Sequence, residues 1–152
     1  MPLTLSETCQ AIAPSVTLKM NALVAELRQR GEDVIGLGAG EPDFDTPAFI
    51  REAGKRAIDE GKTRYTAASG IPALRQAVAD YLLREKNLHY TKEEVIIGNG
   101  AKQVILGALQ ALLNPGDEVL LPAPCWVSYP EMIAMAGGRA VWIHTDEAQG
   151  FI

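Results

Sequence analysis

The stretch "VIIGNGAKQ", residues 95–103, decides how this chain reads. A run of branched apolar residues ends at Gly98, passes Asn99 and Gly100, and continues into Ala101, Lys102 and Gln103. The apolar run predicts a buried strand over residues 95–97, and Val104, Ile105, Ala108, Leu109 and Leu112 then recur at helical spacing. A parallel strand that leaves through glycines into a helix brings unpaired N–H groups and the positive end of the helix dipole to the carboxyl edge of a sheet. That is a place for an anion. Gly98 and Gly100 allow dihedrals and close approach that a side chain would forbid. GxxxxGK[ST] is absent and GxGxxG fails at Gln103, so a diphosphate is not indicated. A single phosphate suits Gly100, Ala101 and Lys102; the competing reading is a plain turn with a solvated lysine.

Working outward, the chain alternates helices with short strands. Val16, Met20, Leu23, Val24 and Leu27 make one face of a helix that Ser15 caps and Gly31 stops. "DVIGLGAGEPDFDTP" reads as a short strand followed by a loop, and Thr46 and Pro47 take N-cap and first-turn positions for a helix bearing Phe49, Ile50, Ala53 and Ala57. Pro72 opens another with Leu74, Val78, Tyr81 and Leu82, and Thr91 with Glu94 fits a capping box. "VLLPAP" predicts a second strand, Ser128, Pro130 and Glu131 open a helix through Ala136, and "RAVWIHT" predicts a third strand. Strand, helix, strand, helix, strand with short connections argues for a mostly parallel sheet with right-handed crossovers. The last residues do not close that layout, so the sequence reads as the front part of a larger domain.

Composition limits the functions available. With 152 residues and 47% hydrophobic content the chain is long enough for a sizeable core. The net charge is −5 and the basic residues are scattered, which argues against nucleic acid as a partner. Cys9 and Cys125 stand in no metal-ligand spacing, no metal site is indicated, and no stretch approaches the roughly 18 apolar residues of a membrane span. The expected compartment is the cytoplasm.

Other residues gain meaning only in combination. Trp126 follows a strand end on the sheet edge expected to carry Gly100, where an indole stacks on a planar ring or else plugs the core. Gly38, Ala39 and Gly40 offer bare backbone to a carboxylate, or form a tight turn held by Asp43 and Asp45. Tyr65 lies in a loop near Lys62 and Arg64, where its hydroxyl reaches a phosphate or simply packs. His89 and His144 have no partner acid at a telling spacing and are not read as catalytic.

Taken in order, "GLGAGEPDFDTP", "TRYTAASGIPALRQAVADYL", "VIIGNGAKQ", "LLNPGDEVLLPAPCWVSYPEM" and "AGGRAV" resemble the class I pyridoxal phosphate-dependent aminotransferases, and most of all the bacterial aspartate aminotransferases. The resemblance runs over essentially the whole chain. Two departures are Cys125, where relatives often carry Tyr, and "GNGAKQ" in place of "GGKQ". The resemblance implies fold type I, an α/β fold with a mostly parallel sheet flanked by helices, incomplete here. Residues 1–45 would be the N-terminal arm and helix of the small domain, and residues 46–152 the first part of the large cofactor-binding domain. It further implies that Gly100, Ala101 and Lys102 cradle the phosphate of pyridoxal 5'-phosphate. Trp126 would stack on the cofactor ring and face the substrate, Gly40 would meet the substrate carboxylate, and Tyr65 would reach the partner subunit's cofactor phosphate in a homodimer with shared sites.

The implied reaction moves an amino group between an amino acid, aspartate above all, and a 2-oxo acid such as 2-oxoglutarate. No catalytic residue is assigned within the chain. The Schiff-base lysine is expected beyond Ile152, so 152 residues alone are expected to be inactive. Lys102 is not that lysine: a phosphate at its helix N-terminus puts the reactive carbon several Å away across the ring. A lyase, an aromatic or other amino acid aminotransferase on the same fold, and a non-catalytic truncated module remain alternatives.

Overall fold

The apolar stretches of the second half become β1 (Glu118–Ala123) and β2 (Arg139–His144), paired in parallel in the computed structural model, which describes residues 3–151. Glu118 lies opposite Arg139 and Ala123 opposite His144. The connection makes a βαβ unit: its helix, Ser128–Met135, packs on both strands and buries Met132 and Ile133, each 3% exposed, while β1 buries Leu121. Removing each such side chain from water is worth roughly 1.5–3 kcal/mol. Gly137, at φ +84°, turns the chain back, and a Cβ on Gly138 would stand 2.8 Å from Leu113 Cδ1 and 3.2 Å from Ile133 Cγ2. Asp117 Oδ2 accepts the Asn114 N–H at 2.7 Å and fixes the turn before β1.

In chain order the helices are α1 (Glu7–Ala11), α2 (Val16–Gln29), α3 (Ala48–Asp59), α4 (Pro72–Lys86), α5 (Gly100–Leu112) and α6 (Ser128–Met135). They fall into two units. One takes the chain up to Gly40 and again from Lys102 onward; the other is Glu41–Ala101.

In the first unit, Ser15 caps α2 by accepting the Leu18 N–H at 3.3 Å, and Gly31 ends the turn after it at φ +85°. The chain then folds back along α2: Arg28 donates from Nε and Nη2 to Val34 O at 3.2 and 3.1 Å. A Cβ on Gly38 would meet Met20 Cβ at 3.1 Å and Asn21 Oδ1 at 3.2 Å, so this approach tolerates only glycine without adjustment. Ser6 caps α1, which packs against α6.

In the second unit, Pro72 opens α4 and Asn87 closes it in the left-handed conformation, at φ 54°. Ala79 and Val95 are its buried apolar residues. Arg75 Nε, on α4, donates to Val95 O at 2.9 Å, and Ile97 N–H to Ser69 O at 3.0 Å.

Three local expectations are corrected. Residues 95–97 join no ladder among the described residues: Val95 N–H donates to Lys92 O, Ile97 N–H to Ser69 O, and Val95 O accepts from Arg75. The stretch from Asp33 is likewise loop, since its glycines dock on α2 instead of pairing. The N-cap of α3 is Pro47 rather than Thr46, with no side-chain cap bond; Pro47 O accepts from Ile50 and Arg51 directly. The sheet is therefore two-stranded among the described residues.

Much apolar surface stays in water. The accessible area is 12714 Å² for 16.4 kDa, where a folded monomer of that mass exposes about 7,500 Å². Leu18 on α2, Leu120 on β1 and Trp142 on β2 are among the exposed side chains.

The capping box over residues 91–94 supplies a pH prediction. Glu94 Oε2 accepts the Thr91 N–H at 2.8 Å and the Thr91 hydroxyl at 3.0 Å. These bonds, the backbone one first, hold the Glu94 carboxyl below its ordinary range. A depressed folded pKa means that the contribution is complete above the ordinary carboxylate range and is lost as pH falls through the lowered value. Glu94→Ala should therefore lower the unfolding midpoint at neutral pH and converge with the unsubstituted protein in acid. A constant difference between the two urea curves across that range would refute it.

Candidate functional site

α5 begins at Gly100, whose φ of +79° a β-carbon would resist, and a Cβ built there meets no atom within 4 Å. Backbone is thus exposed at the helix start, where Ala101 and Lys102 present first-turn N–H groups that α-helical geometry leaves without an intrahelical acceptor. Lys102 then reaches back over Trp126, with Nζ 4.8 Å from the indole centroid. Trp126 sits in the short link between β1 and α6, and Tyr129, the second residue of α6, meets it edge-to-face at 5.4 Å and 89°. The indole is 43% exposed, so it does not plug the core that Leu121, Met132 and Ile133 form.

This arrangement unites three chemistries. The ammonium and helix start favour an anion, and the indole, held at its edge by Tyr129, offers a flat face to a planar ring. A group that is both phosphorylated and aromatic fits those donors. Beside them, Ile12, Ser15, Lys102, Glu131, Met132 and Met135 are among the residues lining a cavity of about 230 Å³.

The remaining candidates lie elsewhere. Tyr65 is fully exposed, at 107%, in a shallow hollow with Thr63 and Arg64. Lys62 is drawn to Glu60, at 2.5 Å. Gly40 has open space where a Cβ would be, whereas Gly38 is pressed on α2. Asp45 faces Arg51 of α3 at 3.9 Å. His144 ends β2, and His89 lines a hollow with Tyr90, Thr91 and Glu94. Among the described residues, no cluster of three His, Cys, Asp or Glu could hold a metal, and no helix is long and apolar enough to cross a membrane.

Two contacts escaped sequence reasoning: Lys102 over Trp126, and the bond from Ala13 N–H to Glu131 Oε2 at 3.3 Å. The second joins residues 118 apart, a separation at which no local periodicity gives a signal.

Known proteins share this sequence and architecture. Residues 32–151 match the family described as aminotransferase class I and II. The aspartate/prephenate aminotransferase of Cereibacter sphaeroides is 52% identical over 147 residues, covering 97% of this chain and 37% of that protein. Its namesake from Thermus thermophilus is 49% identical over 148 residues, covering 97% and 38%. Among solved structures, Thermus thermophilus aspartate aminotransferase with maleate superposes with a TM-score of 0.94 at 48% identity, over 99% of this chain and 40% of that one. Rhizobium meliloti aspartate aminotransferase gives 0.92 at 40% identity, over 99% and 38%. The chain thus spans about two-fifths of the length of these relatives. The fold is the α/β fold of type I aminotransferases, represented by its N-terminal part, and the chain belongs to the class I and II aminotransferase family.

Proposed function

We propose that the complete protein carrying this chain is a pyridoxal phosphate-dependent aminotransferase that moves the amino group of aspartate to a 2-oxo acid. The observation that carries the reading is the meeting of Lys102, at the start of α5, with the exposed face of Trp126. The identities to aspartate/prephenate aminotransferases support aspartate and prephenate as substrates, and 2-oxoglutarate is the oxo acid that the resemblance implies. The cofactor, when bound, supplies an electron sink for the bond broken at the amino acid's α-carbon.

The residues of this chain bind and orient. Gly100, Ala101 and Lys102 hold the phosphate through backbone N–H groups and the ammonium. Trp126 stacks on the ring, and its exposed face excludes water from one side of it. Gly40 gives bare backbone to the substrate carboxylate. Tyr65, exposed on its loop, serves the cofactor phosphate of a partner subunit in a homodimer. Residues 1–45 belong to a small domain and residues 46–152 to the cofactor-binding domain, and the protein works in the cytoplasm.

The test is an assay of the complete protein with aspartate, 2-oxoglutarate and pyridoxal 5'-phosphate, following oxaloacetate by its reduction with NADH and malate dehydrogenase. Cofactor-dependent oxaloacetate is the expected result. Its absence, or release of ammonia in its place, would overturn the reading in favour of another reaction on this fold.

A further inference from the structure

The connector between α1 and α2 has few ways of being held. Ile12 is extended, at φ −73° and ψ 120°, and its N–H donates to Cys9 O at 3.4 Å. Pro14 has no N–H to donate. Ser15 uses its hydroxyl to cap α2. The Ala13 N–H crosses instead to Glu131 Oε2 at 3.3 Å. Glu131 is in the first turn of α6, directly before the buried Met132 and Ile133, so its carboxylate rides on an anchored helix while the connector belongs to no regular element. Both sides of this bond line the 230 Å³ cavity, the connector through Ile12 to Val16 and α6 through Glu131, Met132 and Met135. Lys102 lines it too and also covers the Trp126 ring, so the cavity adjoins the proposed ring seat.

We propose that Glu131 is a positioning residue: by accepting the Ala13 N–H it holds residues 12–16 as a wall of this cavity, and loss of the bond lets that wall move without disturbing the face of Trp126. The effect on turnover rests on the aminotransferase reading. The effect on the connector does not.

In the complete enzyme, Glu131→Ala should speed hydrogen exchange at the Ala13 amide roughly tenfold, the scale of one lost hydrogen bond to a charged acceptor, with β1 and the later turns of α6 unchanged. The KM for the amino acid should rise several-fold while kcat stays within about twofold, as for a loss of ground-state and transition-state binding alike. Glu131→Gln keeps an amide oxygen as acceptor and should restore both. Unchanged exchange at Ala13 in Glu131→Ala overturns the proposal. So does protection lost throughout α6 and β1, which makes Glu131 a general support of the unit, and so does faster exchange at Ala13 with an unchanged KM. No turnover in the unsubstituted protein would overturn the aminotransferase reading alone, leaving the exchange result to decide the connector.

Discussion

Gly70→Ala is expected to destabilise the protein by about 2–5 kcal/mol, the sum of a strained backbone and an overpacked contact. Gly70 holds φ at +99°, and a Cβ there would stand 2.7 Å from Ile97 Cγ1 and 2.8 Å from Ile97 Cβ. Neither atom is the free end of a long side chain. Ile97 is also tied at its backbone, its N–H donating to Ser69 O at 3.0 Å, so it cannot retreat without giving up that bond. Urea unfolding of the complete protein should show the loss as a lower midpoint. A double-mutant cycle with Ile97→Gly separates the two causes: the overlap disappears with the isoleucine side chain, and the φ strain stays. An unchanged midpoint in Gly70→Ala would show that the loop at Ser69 does not clamp the segment before α5.

On the proposed reading, Trp126→Ala should lower kcat/KM and weaken cofactor retention by roughly 30- to 150-fold, since an apolar face worth about 2–3 kcal/mol would be removed from beneath a planar ring. The Tyr129 ring loses its edge-to-face partner and Lys102 its aromatic neighbour in the same substitution. Trp126→Phe keeps a smaller face and should recover most of the loss. Equilibrium dialysis with pyridoxal 5'-phosphate reads the retention independently of turnover. An unchanged dissociation constant in Trp126→Ala would leave the indole as a structural neighbour of α6 only.

What the sequence disclosed, and what it concealed, follows from the range of the forces involved. α2 and α4 were legible because caps and apolar spacing act within a few residues: Ser15, Gly31 and Pro72 fall where they were read. The capping box of Thr91 and Glu94 is local in the same way. The run at residues 95–97 was read as a strand because β-branched residues favour extended backbone, which says nothing about whether a ladder partner is at hand. Its hydrogen bonds go to a loop and an arginine instead. α1 was missed because five residues carry too little periodicity to declare a helix. At the candidate site, the glycine turn, Lys102 and Trp126 were each visible, whereas the ammonium over the indole joins the first turn of α5 to the link after β1, which no spacing encodes.

The parallel pairing of β1 with β2 has a kinetic consequence. The Glu118 to Arg139 contact closes a loop of 21 residues, whereas the Ala13 to Glu131 bond closes one of 118. On chain entropy alone the longer loop costs about 1.5 kcal/mol more, and it gains one exposed hydrogen bond where the shorter gains a ladder and three buried side chains. The strand–helix–strand unit therefore assembles before the N-terminal connector settles on it. In a refolding experiment with pulsed exchange, the amides of β1 and β2 should become protected in an earlier phase than that of Ala13.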